Sequence, residues 1–244
     1  MADITSRFVA PGELVKEQGI CLLVYGAAGS GKTVLCTTAP SPTLILSAEG
    51  GLLSIRDNTD VKALELRSVA DIKEAYETLY DNPNAFRTVC LDSISEVSEV
   101  VLANEKAKTK DPRAAYGTVI DEVMGLLRAF RDLPMDVIMT AKIERVRDEG
   151  QGTMLYMPSM VGRQLPQAIP YLFDEVFALR IVEDDDGNAE RVLQTAKDWQ
   201  YEAKDRSGAL NTLEPANVAS IFAKIRGKIN KTKTSSEAIS NDKT

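Results

Sequence analysis

Residues Gly26-Ala27-Ala28-Gly29-Ser30-Gly31-Lys32-Thr33 satisfy G-x-x-x-x-G-K-[ST] at every fixed position. This octapeptide constrains the fold more than any other stretch, because it works only as the turn between a buried strand and the start of a helix. The chain supplies both flanks. From Gly19 to Tyr25 the run GICLLVY is continuously apolar, the pattern of a strand covered on both faces in a parallel sheet, and a helix is expected from about Lys32. In such a loop the glycines let backbone N–H groups wrap phosphates and the helix start adds its positive dipole end. Lys32 then reaches the β and γ phosphates and Thr33 offers a hydroxyl to Mg²⁺. Gly26, Ala27, Ala28, Gly29, Ser30, Gly31, Lys32, Thr33 and Val34 are therefore the candidate nucleotide contacts.

The same strand-then-helix rhythm continues. Thr43 to Ala48, Arg87 to Leu91 and Met135 to Ala141 are further apolar runs, separated by helical patterns over Val69 to Tyr80, Ile94 to Lys106 and Tyr116 to Arg131. Alternation of this kind predicts an α/β fold, a mainly parallel sheet flanked by helices. After Arg145 the segment RVRDEGQGTMLYMP reads as a polar connection, and Val161 to Leu172 as a helix limited by Pro166 and Pro170. Asp174 to Val182 and Arg191 to Ala196 flank the turn EDDDGN and predict a late antiparallel hairpin; WQYEA reads as a strand and Pro215 to Ile229 as a last helix. Three parts follow: an extension over 1–17, one domain over 18–229, and a disordered polar tail from Asn230 to Thr244.

Composition removes whole classes of chemistry. The 244 residues include no histidine, which excludes a Ser-His-Asp triad, a Cys-His dyad and any His-ligated metal or haem site. Cys21, Cys36 and Cys90 lie in or beside apolar runs without C-x-x-C pairing, so they read as buried reduced thiols and point to the cytoplasm. No apolar run approaches the roughly 18 residues of a membrane helix, and the N-terminus lacks the order of a signal peptide. With 29 Lys plus Arg against 36 Asp plus Glu, the net charge of −7 argues against a uniformly basic coat but permits a local basic groove.

Three polar residues stand at strand ends, where an open α/β sheet places its ligand crevice. Asp92, closing TVCLD, is the candidate second magnesium ligand beside Thr33; the alternative is that Asp92 or Ser93 caps the following helix. Glu49, in LILSAEGG, is the candidate that activates water, against an ordinary solvated loop glutamate. Thr140, in VIMTA, either senses the γ phosphate or simply closes its strand.

Taken together, SAEGG, CLDS and IMTAK resemble the RecA-like branch of the P-loop ATPases. Residues 18 to 228 are similar to compact phage-encoded nucleotide-binding proteins of RecA-core type, several of which are known or thought to be ATP-dependent single-strand annealing recombinases. The resemblance implies ATP and Mg²⁺ as cofactors, Glu49 as the residue that activates water, and single-stranded DNA as partner, bound directly or through a single-stranded DNA-binding protein. It also implies a homo-oligomer, ring or filament, in the cytoplasm, the host's if the chain is phage-encoded. Ala203-Lys204-Asp205-Arg206-Ser207-Gly208 resembles the K-N-R-F-G element of a bacterial RecA-like repair ATPase, departing at Asp205 and Ser207; Lys204 or Arg206 would then reach the next subunit's nucleotide. The plain alternative is a basic turn.

DNA contact has two loose candidates, Lys106 to Arg113 and the group Arg145, Arg147 and Arg163, each of which also reads as a solvated face. Tyr156 and the single Trp199 either stack on bases or, as aromatics in strand-like runs, belong to the core. The reading is a slow or DNA-stimulated ATP hydrolase acting in phage recombination. A small-molecule or nucleotide kinase and a nucleotide-gated binding module are the alternatives.

Overall fold

The computed structural model describes residues 8–9, 19–109, 111–147, 152–183 and 186–241; the expected extension over 1–17 falls almost wholly outside them. The central strands are β1 (Cys21–Gly26), β2 (Thr43–Ser47), β3 (Val61–Glu65), β4 (Thr88–Asp92), β5 (Asp136–Arg147) and β7 (Glu175–Glu183). They lie in the order β7-β1-β5-β4-β2-β3, every pair parallel. Antiparallel pairs extend this sheet: β8 (Ala189–Gln194) against β7, β10 (Leu213–Pro215) against β8, β9 (Lys204–Asp205) against β7, and β6 (Met154–Pro158) against β5. This is the mainly parallel α/β sheet with a late hairpin that the sequence predicts.

Alternation along the strands divides the core in two. Leu23, Tyr25, Leu91 and Met139 face a cluster closed by α2 (Val69–Asp81), α3 (Ile94–Lys108), α4 (Pro112–Arg131) and α5 (Gln164–Ala168). Leu22, Val24, Cys90 and Ile138 face the other, closed by α1 (Lys32–Cys36) and by Val218, Ile221, Phe222 and Ile225 of α6 (Val218–Asn241). Each such fully buried aliphatic side chain contributes about 1.5–3 kcal/mol. Gly19 precedes β1 at a point where nothing larger fits: a Cβ there would stand 1.8 Å from the Met135 carbonyl oxygen. Arg226 of α6 reaches Asp136 Oδ2 at 2.7 Å, and Asp136 Oδ1 also accepts from Ile20 N–H at 3.0 Å, so one carboxylate ties helix and two strands at the sheet's N-terminal end.

Several expectations are corrected. The polar connection after Arg145 is a hairpin: β5 runs on to Arg147 and β6 pairs back against it from Ile143↔Pro158 to Arg147↔Met154. Val161 to Leu172 is interrupted, with five α-helical residues passing into a 3-10 turn over Ile169–Leu172 at the prolines. WQYEA forms no strand beyond one bridge, Tyr156↔Tyr201. α6 is helical through Asn241, not coil from Asn230, since no glycine or proline follows Gly227 to stop it. The edge strand β3 has no counterpart in the sequence reading, its residues being largely exposed. Among the described residues no helix is long and apolar enough to cross a membrane.

Candidate active site

The P-loop leaves β1 at Gly26 and enters α1 through Gly31, with Gly29 and Gly31 at φ +75° and +98°, conformations that side chains rarely adopt. Lys32 is nearly buried, and its ammonium donates to the carbonyls of Gly26 at 3.0 Å and Ala27 at 3.1 Å. Val34 stands half exposed on the outer face of α1. Ser30 is buried, yet its hydroxyl has no partner among the described residues.

Beneath the loop, strand parity gathers the polar residues. Ser47 and Asp92 end β2 and β4, and Thr140 lies within the neighbouring β5, all on the face that carries Ile45, Cys90 and Ile138, which is the face α1 covers. Asp92 is 1% exposed, and its two oxygens are divided: Oδ2 accepts from Thr33 Oγ1 at 2.6 Å and Oδ1 accepts from Thr140 Oγ1. The cap of α3 is Ser93, whose hydroxyl accepts from Glu96 N–H, and the Asp92 carboxylate bonds Thr33 and Thr140 instead. The expectation that Thr140 simply closes its strand is corrected, since β5 runs on to Arg147, and the Thr140 hydroxyl instead donates to this carboxylate.

A Mg²⁺ ion would meet suitable donors here. Thr33 gives its proton to Asp92 and keeps its oxygen lone pairs, and the two side chains present hard oxygens side by side. Ser47, buried next to Asp92 in register, has a hydroxyl without a partner among the described residues, available to water around such an ion.

Glu49 follows β2 at the same end. Its N–H and that of Ala48 both point at the Asp92 carbonyl, at 3.3 and 2.8 Å, and Gly50 at φ +72° turns the chain there. Gly51 then passes against Thr33, whose Oγ1 would lie 3.3 Å from a Cβ at that position. The Glu49 backbone is therefore held at the loop's edge, with its side chain exposed there. Lys142 lies 3.9 Å from it and 2.7 Å from Glu96, and its pKa is raised chiefly by the bond to Glu96.

The family described as "AAA domain" matches residues 18–207, from the threshold of β1 past β9. The chain belongs to the AAA domain family. Among solved structures, a KaiC-like protein from the hyperthermophilic archaeon Pyrococcus horikoshii OT3 aligns at TM-score 0.41 and 14% identity, covering 72% of this chain and 77% of that one. No curated protein matches. The α/β core, its P-loop and the family membership together make this a nucleotide-binding P-loop ATPase domain.

The remaining predicted residues of the AAA domain lie apart from its own P-loop. Lys204 and Arg206 are carried by β9 to the N-terminal end of β7, where β9 pairs Lys204 with Val176. Lys204 donates to the carbonyls of Pro170 at 2.6 Å and Phe173 at 2.5 Å, and burial lowers its pKa. Arg206, more exposed, pairs with Asp174 at 3.0 Å. Asp205 accepts from the N–H groups of Gly208 and Leu210, so this segment is an ordered turn whatever else it does.

Trp199 is not core: it is 63% exposed, on a turn where Asp198 Oδ1 accepts from the N–H groups of Gln200 and Tyr201. Tyr156 is half buried and stacks on Tyr201 with ring centres 4.9 Å apart, while the Arg180 guanidinium lies 4.5 Å over the Tyr201 ring. One residue of each expected basic segment comes close to the other, since Tyr116, under Lys106 in a cation–π contact, lies 4.0 Å from a Cβ placed on Gly162, the neighbour of Arg163.

Three site residues escape the sequence reading. Lys142 carried a signal, two residues beyond Thr140 and so on the same face of β5. Ser47 carried the same signal relative to Ile45. Arg191 carried none: its Nε donates to the Ser30 carbonyl at 3.0 Å across 161 residues.

Proposed function

We propose that this AAA domain is a Mg²⁺-dependent ATP hydrolase of RecA-like type that works on single-stranded DNA in phage recombination and strand annealing. The observation that carries the ATPase half is the shared carboxylate, Asp92 held between Thr33 of the P-loop helix and Thr140 of the adjacent strand. In this reading the P-loop amides and Lys32 bind the phosphates, Thr33 and Asp92 hold the ion, and Glu49 orients the attacking water. When bound, the ion would neutralise charge that develops on the phosphates. Thr140 keeps Asp92 in one rotamer, so the carboxylate need not reorganise during turnover.

The DNA half is supported by the hairpin. β5 passes without interruption from Thr140 into a ribbon bearing Arg145 and Arg147, with Arg145 opposite Tyr156 and the exposed Trp199 on the neighbouring turn. Cations beside aromatic faces suit a flexible, charged strand with unpaired bases. Assembly into a ring or filament in the cytoplasm belongs to the same reading, with Arg206 as the residue offered to a neighbouring subunit. Lys204, occupied by two carbonyls, serves its own turn in this account.

The test is ATP turnover of wild type, Lys32→Ala and Glu49→Gln, with and without single-stranded DNA, and DNA binding across a salt series. Lys32→Ala should abolish nucleotide binding or turnover. Glu49→Gln should still bind ATP and lose turnover by roughly 10²–10⁴-fold, the usual contribution of a positioned base. Turnover indifferent to DNA, without salt-sensitive binding, would move the assignment to a kinase or a nucleotide-gated module.

A further inference from the structure

β8 is remote from the P-loop in sequence but is delivered to it by register. Gly26, the last residue of β1, pairs with Leu179 of β7, and two residues further on Ile181 pairs with Arg191 of β8. Strand rise then puts Arg191 about 7 Å beyond the end of β1, level with the loop itself. The side chain lies across the outside of that loop. Its Nε donates to the Ser30 carbonyl at 3.0 Å, and a Cβ on Gly31 would stand 2.9 Å from Nε and 3.3 Å from Cδ.

A clamp on a carbonyl alone does not need a guanidinium. Arg carries five N–H donors in a planar fork, of which Ser30 accepts one. Among the described residues no acceptor takes the Nη hydrogens and no carboxylate pairs with the charge. The neighbouring Ser30 hydroxyl, 3% exposed and without a partner among the described residues, is a second polar group left for a ligand at the same turn. A permanent cation thus stands beside backbone amides whose conformation suits phosphate.

We infer that Arg191 is a phosphate-binding residue supplied by the same chain, which grips the α and β phosphates of the nucleotide from the outer side of the P-loop while Lys32 approaches from within. The inference rests on the ATP-binding reading above and deepens it. Because the contact is to phosphates that ATP and ADP share, Arg191 sets affinity for both and leaves the hydrolytic step to Glu49 and Asp92.

The experiment compares ADP and ATP affinity, turnover and nucleotide-free thermal stability for wild type, Arg191→Gln, Arg191→Lys and Lys32→Ala. In Arg191→Gln the amide nitrogen occupies the same place along the side chain as Nε, so the bond to Ser30 can persist while the charge is lost. The expected result is a loss of about 10- to 100-fold in affinity for both nucleotides alike, the range of a charge-assisted hydrogen bond, with KM raised and kcat little changed. Arg191→Lys should recover part of that loss. Should Arg191→Gln melt earlier than wild type, Arg191→Lys decides: affinity regained supports the contact, affinity no better than the Gln variant overturns it. Nucleotide affinity within twofold of wild type in Arg191→Gln would reduce Arg191 to a loop clamp. Loss of turnover with ADP affinity unchanged would place it at the γ phosphate instead, which also overturns the inference. If wild type binds neither nucleotide better than Lys32→Ala does, the ATP-binding reading itself has failed and this inference goes with it.

Discussion

Replacing Thr140 by Val removes one hydroxyl from a buried site and changes little else in shape. Thr140 is fully buried and donates to Asp92 Oδ1, so the variant leaves a buried carboxylate oxygen facing a methyl group. A hydrogen bond to a charged group contributes about 1.5–3 kcal/mol, and the unmet oxygen pays the desolvation cost in full. For a chain of 244 residues that loss should lower the melting temperature by roughly 3–6 °C. A double-mutant cycle isolates the contact. In an Asp92→Asn background the bond is between neutral groups, and Thr140→Val should cost less there by about 1 kcal/mol. Denaturant unfolding of the four proteins without nucleotide, at equal slope, gives the coupling directly. Costs that agree within about 0.5 kcal/mol in the two backgrounds would show that Thr140 and Asp92 do not act together, and would remove Thr140 from the site.

Two further substitutions test the frame around it. Glu175 is buried with its pKa pushed up to about 8, chiefly by burial and then by the charge of Asp205, with Asp174 adding to it. A carboxyl raised in the folded state stabilises fully below its unfolded value near 4.5 and loses that contribution as pH rises through about 8. Glu175→Gln should therefore flatten the fall in stability between pH 5 and 8, read as a smaller drop in melting temperature across that range than in wild type. Gly19→Ala drives a Cβ to within 1.8 Å of the Met135 carbonyl and should destabilise by about 2–3 kcal/mol or fail to express as soluble protein; a wild-type melting temperature would show that β1 and the Met135 turn shift freely.

Much of the site was legible because its chemistry is local. The P-loop is eight contiguous residues, and Asp92 ends an apolar run whose next residue is a good helix cap, so Walker A and the carboxylate were found without tertiary information. The mutual arrangement was less so. That Thr140 bonds Asp92 depends on β5 lying between β1 and β4, a topological fact that no single segment carries. The hairpin was missed because Ile143 to Arg147 shows no clean alternation: Glu144 and Val146 share one face, Arg145 and Arg147 the other, and pairing with β6 overrides the pattern. Of the two readings open for Trp199 the core one fails, because two amide bonds to the Asp198 carboxylate fold that stretch into an exposed turn.

β5 is stiffened unequally along its length. From Val137 to Lys142 it is hydrogen-bonded to β1, and from Asp136 to Met139 to β4 as well; beyond Lys142, among the described strands, it pairs with β6 alone. A beam clamped on both edges and then on one yields where the clamping changes. Two-edged pairing ends at Met139 and pairing with β1 ends at Lys142, so a load on the ribbon's tip enters the sheet through residues 140–142, the last of which leans on Glu96 and stands 3.9 Å from Glu49. The ribbon and the Glu49 carboxylate are thus geared to each other through these three residues, whose compliance bears on how far a displacement of one is felt by the other.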